Sequence, residues 1–75
     1  MAKKSNQGRG RVYKRIDLVG TSDQSFEAAI ENAVAKASET LNDLRWFEVV
    51  EMRGAIEDGR VAEYQAVVKV SFEVN

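Results

Sequence analysis

The sequence predicts a small α+β domain with the order β-α-β-β, in which a three-stranded antiparallel sheet wraps around one helix. An apolar stripe with helical spacing runs over residues 25–44, and segments with alternating apolar and polar residues lie on both sides of it. An Asp58-Gly59 pair, a strong signal for a two-residue hairpin turn, divides the second alternating segment. Since the helix connects strands one and two, we expect these to be parallel but not adjacent, which gives the strand order 1-3-2.

The first strand is predicted over residues 11–19, where apolar side chains recur at every second position. Ile16 and Leu18 share one face of it, and this face is the better candidate for the core. Gly20 follows directly, and because glycine permits a tight turn, we expect the strand to end there.

The helix is predicted from about Ser25 to Leu44, with Ser22 or Ser25 as its N-cap. Its apolar residues recur at helical spacing and are rich in alanine, so a sheet can approach closely. The stripe consists of Phe26, Ala29, Ile30, Ala33, Val34, Ala37, Leu41 and Leu44. A stripe of this kind is typical of a core, and we assign it no ligand.

The Asp58-Gly59 turn sets a register that pairs Met52 with Gln65 and Trp46 with Ser71. One face of the predicted hairpin is apolar and is expected to cover the helix: Phe47, Val49, Tyr64, Ala66, Val68, Val70 and Phe72. The other face mixes large apolar, amide and charged side chains: Trp46, Glu48, Val50, Met52, Gln65, Val67, Lys69 and Ser71.

The second face points to function, because a single helix cannot cover both sides of the sheet. Trp46, Val50 and Met52 would lie together in water, and such a patch usually marks an interface or a ligand site. An aromatic ring beside the Gln65 amide suits a flat heteroaromatic ligand, since the ring stacks and the amide hydrogen-bonds to the ligand's edge. The residues alone leave both interpretations open, a plain subunit interface and a ligand site.

Composition excludes several classes of protein. The 75 residues contain no cysteine and no histidine, so thiolate or imidazole metal sites and Ser-His or Cys-His nucleophile pairs are excluded. No paired carboxylates are evident, and we expect a protein that is not an enzyme. A chain this short buries little surface, so we expect it to form an oligomer. It has neither a membrane-spanning stretch nor a signal peptide, which favours a cytoplasmic location.

Residues 1–10 are polar, basic and without periodicity, and we interpret them as a flexible basic N-terminal arm before a single domain over residues 11–75. Six of the 11 basic residues lie within residues 1–15, and all 12 acidic residues follow them. A basic arm can bind nucleic acid, which gives an alternative function as a structural oligomer or nucleic-acid-binding module. A solvated terminus is the simpler interpretation, and we do not expect nucleic acid as a partner.

Short motifs spread over residues 11–74 resemble those of the dodecins. These are Val12-Tyr13-Lys14, Leu18-Val19-Gly20-Thr21-Ser22, Trp46-Phe47-Glu48-Val49, Arg53-Gly54, Ile56-Glu57-Asp58-Gly59 and Tyr64-Gln65. The resemblance implies a hollow homododecamer that stores flavin, either FMN or riboflavin, as stacked pairs between the tryptophans of two subunits and quenches its photochemistry. It implies that Trp46 stacks on the flavin and that Gln65 contacts its pyrimidine edge.

The resemblance also implies coenzyme A as an alternative ligand, because bacterial dodecins are known to bind it. Many bacterial members have Gly-Phe-Arg where this chain has Ser71-Phe72-Glu73, and that arginine is associated with phosphate-bearing ligands. Arg53 matches the arginine of the bacterial Arg-Gly pair and is expected to meet the ribityl or phosphate tail of a flavin. The predicted flavin site therefore combines Arg53, which the resemblance supplies, with four residues of one predicted face: Trp46, Gln65, Val50 and Met52.

Overall fold

The computed structural model describes residues 10–75, which form four elements. These are the strand β1 (Val12–Ser22), the helix α1 (Phe26–Thr40) and the strands β2 (Leu44–Glu57) and β3 (Arg60–Val74). The strand β3 lies between β1 and β2 and is antiparallel to both. The predicted β-α-β-β fold with the order 1-3-2 is therefore confirmed. The predicted basic arm lies outside the described residues except for Gly10.

The strand β1 continues past Gly20 to Ser22, so the predicted turn at Gly20 is wrong. The glycine instead allows the helix to approach the sheet. A Cβ atom at this position would lie 2.0 Å from the backbone oxygen of Ala29 and 2.9 Å from the Cβ of Ala33. Because side chains essentially never come so close to a backbone atom, only glycine fits here without a shift of the helix.

The helix α1 begins after Ser25, whose Oγ accepts a hydrogen bond of 3.0 Å from the backbone N–H of Ala28. This confirms Ser25 as the N-cap. The helix ends at Thr40 rather than near Leu44, which already belongs to β2. Asp43 has a φ of 61°, in the left-handed region that short polar side chains tolerate, and a turn there reverses the chain within a few residues.

The core lies between α1 and the strands β1 and β3. Its fully buried apolar residues are small: Ala29, Ala33, Ala37, Ala66, Val68 and Val70. Partly buried side chains pack around them, among them Ile16 and Leu18 of β1, as predicted. Because the buried residues are small, α1 lies close to the sheet, but they also remove little apolar surface from water.

The helix does not cover β2, which corrects the predicted packing of Phe47 and Val49. Both pair with core residues of β3 and so share their face, yet they are 49% and 39% exposed. A groove of about 630 Å³ opens between α1 and β2, lined by Ile30, Val34 and Ala35 with Phe47 opposite and glutamates at its rim. The helix-bearing face of the sheet is therefore only partly covered within one chain.

The hairpin turn is confirmed, since Asp58 and Gly59 have φ values of 53° and 75°, the left-handed conformation of a type I′ turn. The predicted pairings at both ends of the hairpin also hold, with Ile56 opposite Val61 and Trp46 opposite Ser71. The pairing between these ends differs only over residues 51–55, which lie between two irregularities that shift the register by one residue.

One of these irregularities is a β-bulge, where Val50 is an extra residue without a counterpart on β3. Beyond it, Met52 pairs with Ala66 and Arg53 pairs with Gln65, so the predicted pairing of Met52 with Gln65 is wrong. Because paired residues project from the same face, Met52 lies on the side of the buried Ala66, and Arg53 lies on the side of Gln65. A second irregularity between Ala55 and Ile56 restores the predicted register toward the turn.

Within residues 10–75, the helix is too short and too polar to cross a membrane.

Candidate functional site on the outer face

The face of the sheet that points away from α1, called the outer face below, combines side chains from three strands. It carries Tyr13, Arg15, Asp17 and Val19 of β1, Trp46, Glu48, Glu51 and Arg53 of β2, and Gln65, Val67, Lys69 and Ser71 of β3. No element of residues 10–75 covers this face. Aromatic, amide and charged groups are therefore available to a partner or ligand.

Trp46 lies near the start of β2 and is 45% exposed. Its ring contacts the ring of Tyr13 from β1, with a centroid distance of 4.7 Å and an angle of 59° between the planes. Tilted contacts of this kind are favourable, because the positive edge of one ring meets the negative face of the other. The indole is thus held from one side, while nearly half of its surface stays open.

Ser71 lies between these two strands and is fully buried, although it belongs to the outer face. It pairs with Arg15 on one side and with Trp46 on the other. Its Oγ has no hydrogen-bond partner within the part of the chain that the structure describes. The side chains around Ser71 therefore close over it and exclude water.

Gln65 lies farther along β3 and has both ends of its amide engaged. Its Oε1 accepts a hydrogen bond of 2.8 Å from Nε of Arg53, and its Nε2 donates one of 2.9 Å to Oε1 of Glu63. A second nitrogen of Arg53 lies 3.5 Å from the carboxylate of Glu51. These contacts orient the amide, with its oxygen toward a cation and its nitrogen toward an anion.

The structure brings Arg53 and Gln65 together but keeps Trp46 apart from both. Trp46 faces Ser71, which is six residues from Gln65 along β3. At about 3.3 Å per residue, the two side chains of one chain are separated by roughly 20 Å along the strand. A single aromatic ligand cannot contact both within the same chain.

The two apolar residues of the predicted site take other positions. Met52 is 56% exposed but lies on the helix-bearing side, away from Trp46 and Gln65. Val50 is 54% exposed at the bulge and has no pairing residue on β3. The apolar patch that was predicted around Trp46 is therefore formed with Tyr13 rather than with these two residues.

The alternation in β1 already placed Tyr13 on the face opposite Ile16 and Leu18, but not beside Trp46. No hairpin connects β1 to β3, so nothing in the sequence fixes the register between these strands. The observed register pairs Tyr13 with Glu73 and thereby brings its ring to the level of Trp46.

Glu73, near the end of β3, is negatively charged and stands at the position where many bacterial dodecins have an arginine. Its side chain is only 15% exposed, and its carboxylate lies 2.9 Å from Arg45 and 3.8 Å from Arg11. Two cations thus surround one anion, and Arg45 also lies 3.8 Å from Asp43. The local charge is close to balanced.

Among residues 10–75, no three acidic side chains come together in a way that would hold a metal ion.

The fold and its outer face define a small α+β domain of one helix and three strands. The family model named Dodecin matches residues 12–75, and the chain belongs to the dodecin family, a family of small binding and storage proteins. The confirmed strand order and single helix match the structures of other members.

Similar proteins come from several bacteria. Dodecin of Thermus thermophilus is 52% identical over 65 residues, which cover 87% of this chain and 94% of the relative. A crystal structure of a protein from that organism has a TM-score of 0.84 and the same identity, and the match covers 88% of this chain and 97% of the other. Dodecin of Streptomyces coelicolor is 43% identical, with a TM-score of 0.86 and coverage of 89% and 96%.

A more distant relative carries a different description. Calcium dodecin of Mycobacterium tuberculosis is 36% identical over 63 residues, which cover 84% of this chain and 89% of the relative. Its crystal structure is described as that of a calcium-chelating antigen with a novel calcium-binding site, and its TM-score to this chain is 0.76. Ligands thus differ between members of the family.

Proposed function

We propose that this protein binds flavin, either FMN or riboflavin, without turning it over. Stacked flavins lie between Trp46 side chains of two subunits in a hollow homododecamer, which stores the flavin and quenches its photochemistry. The observation that carries the proposal is the half-exposed Trp46 on an outer face that residues 10–75 leave open. Aromatic side chains bind flat heteroaromatic rings by stacking, which contributes about 1–3 kcal/mol per ring for nucleobases.

The separation of Trp46 from Gln65 supports a site that is shared between subunits. If one flavin stacks on Trp46 and also meets a glutamine amide, the amide belongs to a neighbouring chain, because its own Gln65 is roughly 20 Å away. The site is then incomplete in a single chain, and binding requires assembly.

The exposed apolar surface supports assembly independently of any ligand. Within residues 10–75, eleven large hydrophobic side chains are exposed: Val12, Tyr13, Val19, Trp46, Phe47, Val49, Val50, Met52, Ile56, Val61 and Val74. The apolar groove between α1 and β2, with a volume of about 630 Å³, adds a concave surface. A soluble monomer rarely leaves so much apolar surface in water, so we expect other copies of the chain to cover it.

The contacts of Gln65 support its role at the edge of the flavin. The pyrimidine edge of a flavin alternates hydrogen-bond donors and acceptors, and an amide can match both. Arg53 already holds Oε1 of Gln65, so the amide reaches a ligand in a defined orientation. The third guanidinium nitrogen of Arg53, Nη2, is available to a ribityl hydroxyl or a phosphate.

The charges around Glu73 favour flavin over coenzyme A, the alternative ligand. The carboxylate lies 2.9 Å from Arg45 and so occupies a cation that a phosphate would need. Calcium does not enter the proposal, because residues 10–75 do not group three acidic ligands.

We further expect a single domain over residues 11–75 in the cytoplasm, with the arm making no contact to nucleic acid.

Titration of FMN or riboflavin with the purified protein, followed by flavin fluorescence, tests the proposal. Stacking on an electron-rich indole is expected to quench the emission, and Trp46→Ala is expected to weaken binding at least about tenfold, which corresponds to 1.4 kcal/mol. Met52→Ala is the matched control, because this exposed apolar residue of the same strand lies on the other face. Unquenched flavin with a folded oligomer contradicts the proposal, as does equal binding by the Trp46→Ala variant.

A further inference from the structure

Tyr13 and Trp46 lie on strands that are not adjacent in the sheet. Neighbouring strands are about 4.8 Å apart, so β1 and β2 are separated by nearly 10 Å with β3 between them. Their rings nevertheless approach to a centroid distance of 4.7 Å. Both side chains must therefore lean across β3 and meet above it.

The residue of β3 beneath this contact must be small. Ser71 pairs with Trp46, is fully buried, and has an Oγ without a partner in the described chain. A buried hydroxyl without a hydrogen bond is unfavourable, so its polarity does not explain the residue. Its size does, because a longer or branched side chain would fill the space in which the two rings meet.

We propose that Tyr13 is a positioning residue for Trp46, and that Ser71 acts as the small spacer that allows their contact. This inference rests on the proposed flavin site. Tyr13 contacts the indole, which is still 45% exposed, so the ring is held in one orientation before a flavin arrives. A side chain that is already ordered loses less conformational entropy on binding, which raises affinity.

The only tryptophan of the chain makes this inference testable without any ligand. The fluorescence anisotropy of Trp46 and its quenching by acrylamide report how freely the indole moves and how exposed it is. Tyr13→Leu is expected to lower the anisotropy and increase the quenching, whereas Tyr13→Phe keeps the ring and both signals. Val19→Leu is the matched control, since Val19 lies on the same face of β1 but pairs far along β3.

The same variants are then titrated with FMN. Tyr13→Leu is expected to weaken binding by roughly two- to tenfold, the range that aromatic pairs contribute, and Tyr13→Phe and Val19→Leu are expected to bind like the parent protein. Size-exclusion chromatography verifies that each variant keeps its oligomeric state. If Tyr13→Leu leaves the anisotropy, the acrylamide quenching and the FMN affinity unchanged, the inference is wrong.

Variants of Ser71 test the spacer separately. Ser71→Ala is expected to preserve the signals of Trp46 and the FMN affinity, whereas Ser71→Leu is expected to reproduce the effects of Tyr13→Leu. Loss of the ring contact in Ser71→Ala would overturn the role of residue size. If the parent protein binds neither FMN nor riboflavin, the proposed function fails, and the anisotropy of Trp46 alone decides whether Tyr13 holds the indole.

Discussion

The two faces of the sheet differ although the same strand supplies both. Along β3, Ala66, Val68 and Val70 are buried against α1, while their neighbours Val67 and Lys69 project from the outer face and remain partly exposed. The helix-bearing face is apolar, and the chain's own helix covers it over β1 and β3 but not over β2. The outer face holds the aromatic, amide and charged groups and has no cover within residues 10–75.

The side chains of the two faces are held in place by different kinds of contact. The helix-bearing face is set by packing inside one chain, where small residues allow close contact between helix and sheet. The outer face is ordered by side chains that contact each other, such as Tyr13 with Trp46 and Arg53 with Gln65. Substitutions on the first face should therefore change the stability of the chain, and substitutions on the second should mainly change binding and assembly.

The largest effect is expected for Gly20→Ala. The new Cβ would lie 2.0 Å from the backbone oxygen of Ala29, so α1 must move away from the sheet. We expect a loss of about 3 kcal/mol in the free energy of unfolding, at the upper end for overpacked cores. Urea denaturation at fixed protein concentration measures it. Gly10→Ala is the control, because no heavy atom of residues 10–75 lies within 4 Å of a Cβ there, and equal stability of the two variants would contradict the close approach.

A smaller effect on the free energy of unfolding is expected for alanine variants of two adjacent valines of β3. Val68 is fully buried in the core, and Val67 projects from the outer face. We expect Val68→Ala to lower the free energy of unfolding by about 2 kcal/mol through lost burial and a cavity, and Val67→Ala by less than about 1 kcal/mol. The same denaturation series compares them. A Val67→Ala variant at least as unstable as Val68→Ala would show that the outer face also carries the stability of the fold.

The smallest effect is expected for the ion pair between Arg15 and Glu48 on the outer face. Its atoms are 3.0 Å apart, but both side chains are 52% exposed. Exposed pairs contribute about 0.2–1 kcal/mol, and salt screens them. A double-mutant cycle with Arg15→Ala and Glu48→Ala measures the coupling energy. A coupling above about 2 kcal/mol would mean that this part of the outer face is desolvated, as in a subunit interface.

The strongest sequence patterns predicted the fold correctly. The helical stripe, the alternation around Ile16 and Leu18 and the Asp58-Gly59 turn gave the elements, the core face of β1 and the hairpin. They also placed Trp46 and Gln65 on one side of the sheet, which the observed pairing confirms. These features depend on local chemistry and on the periodicity of side chains, both of which are visible in a sequence.

The incorrect predictions concern features that depend on long-range packing. The glycine at position 20 serves contact with the helix rather than a turn, and only the folded chain reveals this neighbour. Nothing in the run Val49-Val50-Glu51 indicates a bulge, so strict alternation placed Met52 on the wrong face. The contact of Tyr13 with Trp46 depends on the register between β1 and β3, which no turn sets. The site residues themselves remain predictions.

The bulge at Val50 has a consequence for how this strand can evolve. Trp46 and Arg53 are an odd number of positions apart, and they share a face only because one extra residue lies between them. Deleting Val50 would therefore remove the bulge but leave Arg53 beside Gln65, because the remaining residues alternate in the observed pairing. Straightening the strand with Val50 kept would instead move every side chain from Glu51 to Ala55 to the other side, so that Arg53 would turn toward the helix and Met52 outward. The strand can thus lose the extra residue without inverting its face, but it cannot keep that residue and lose the bulge.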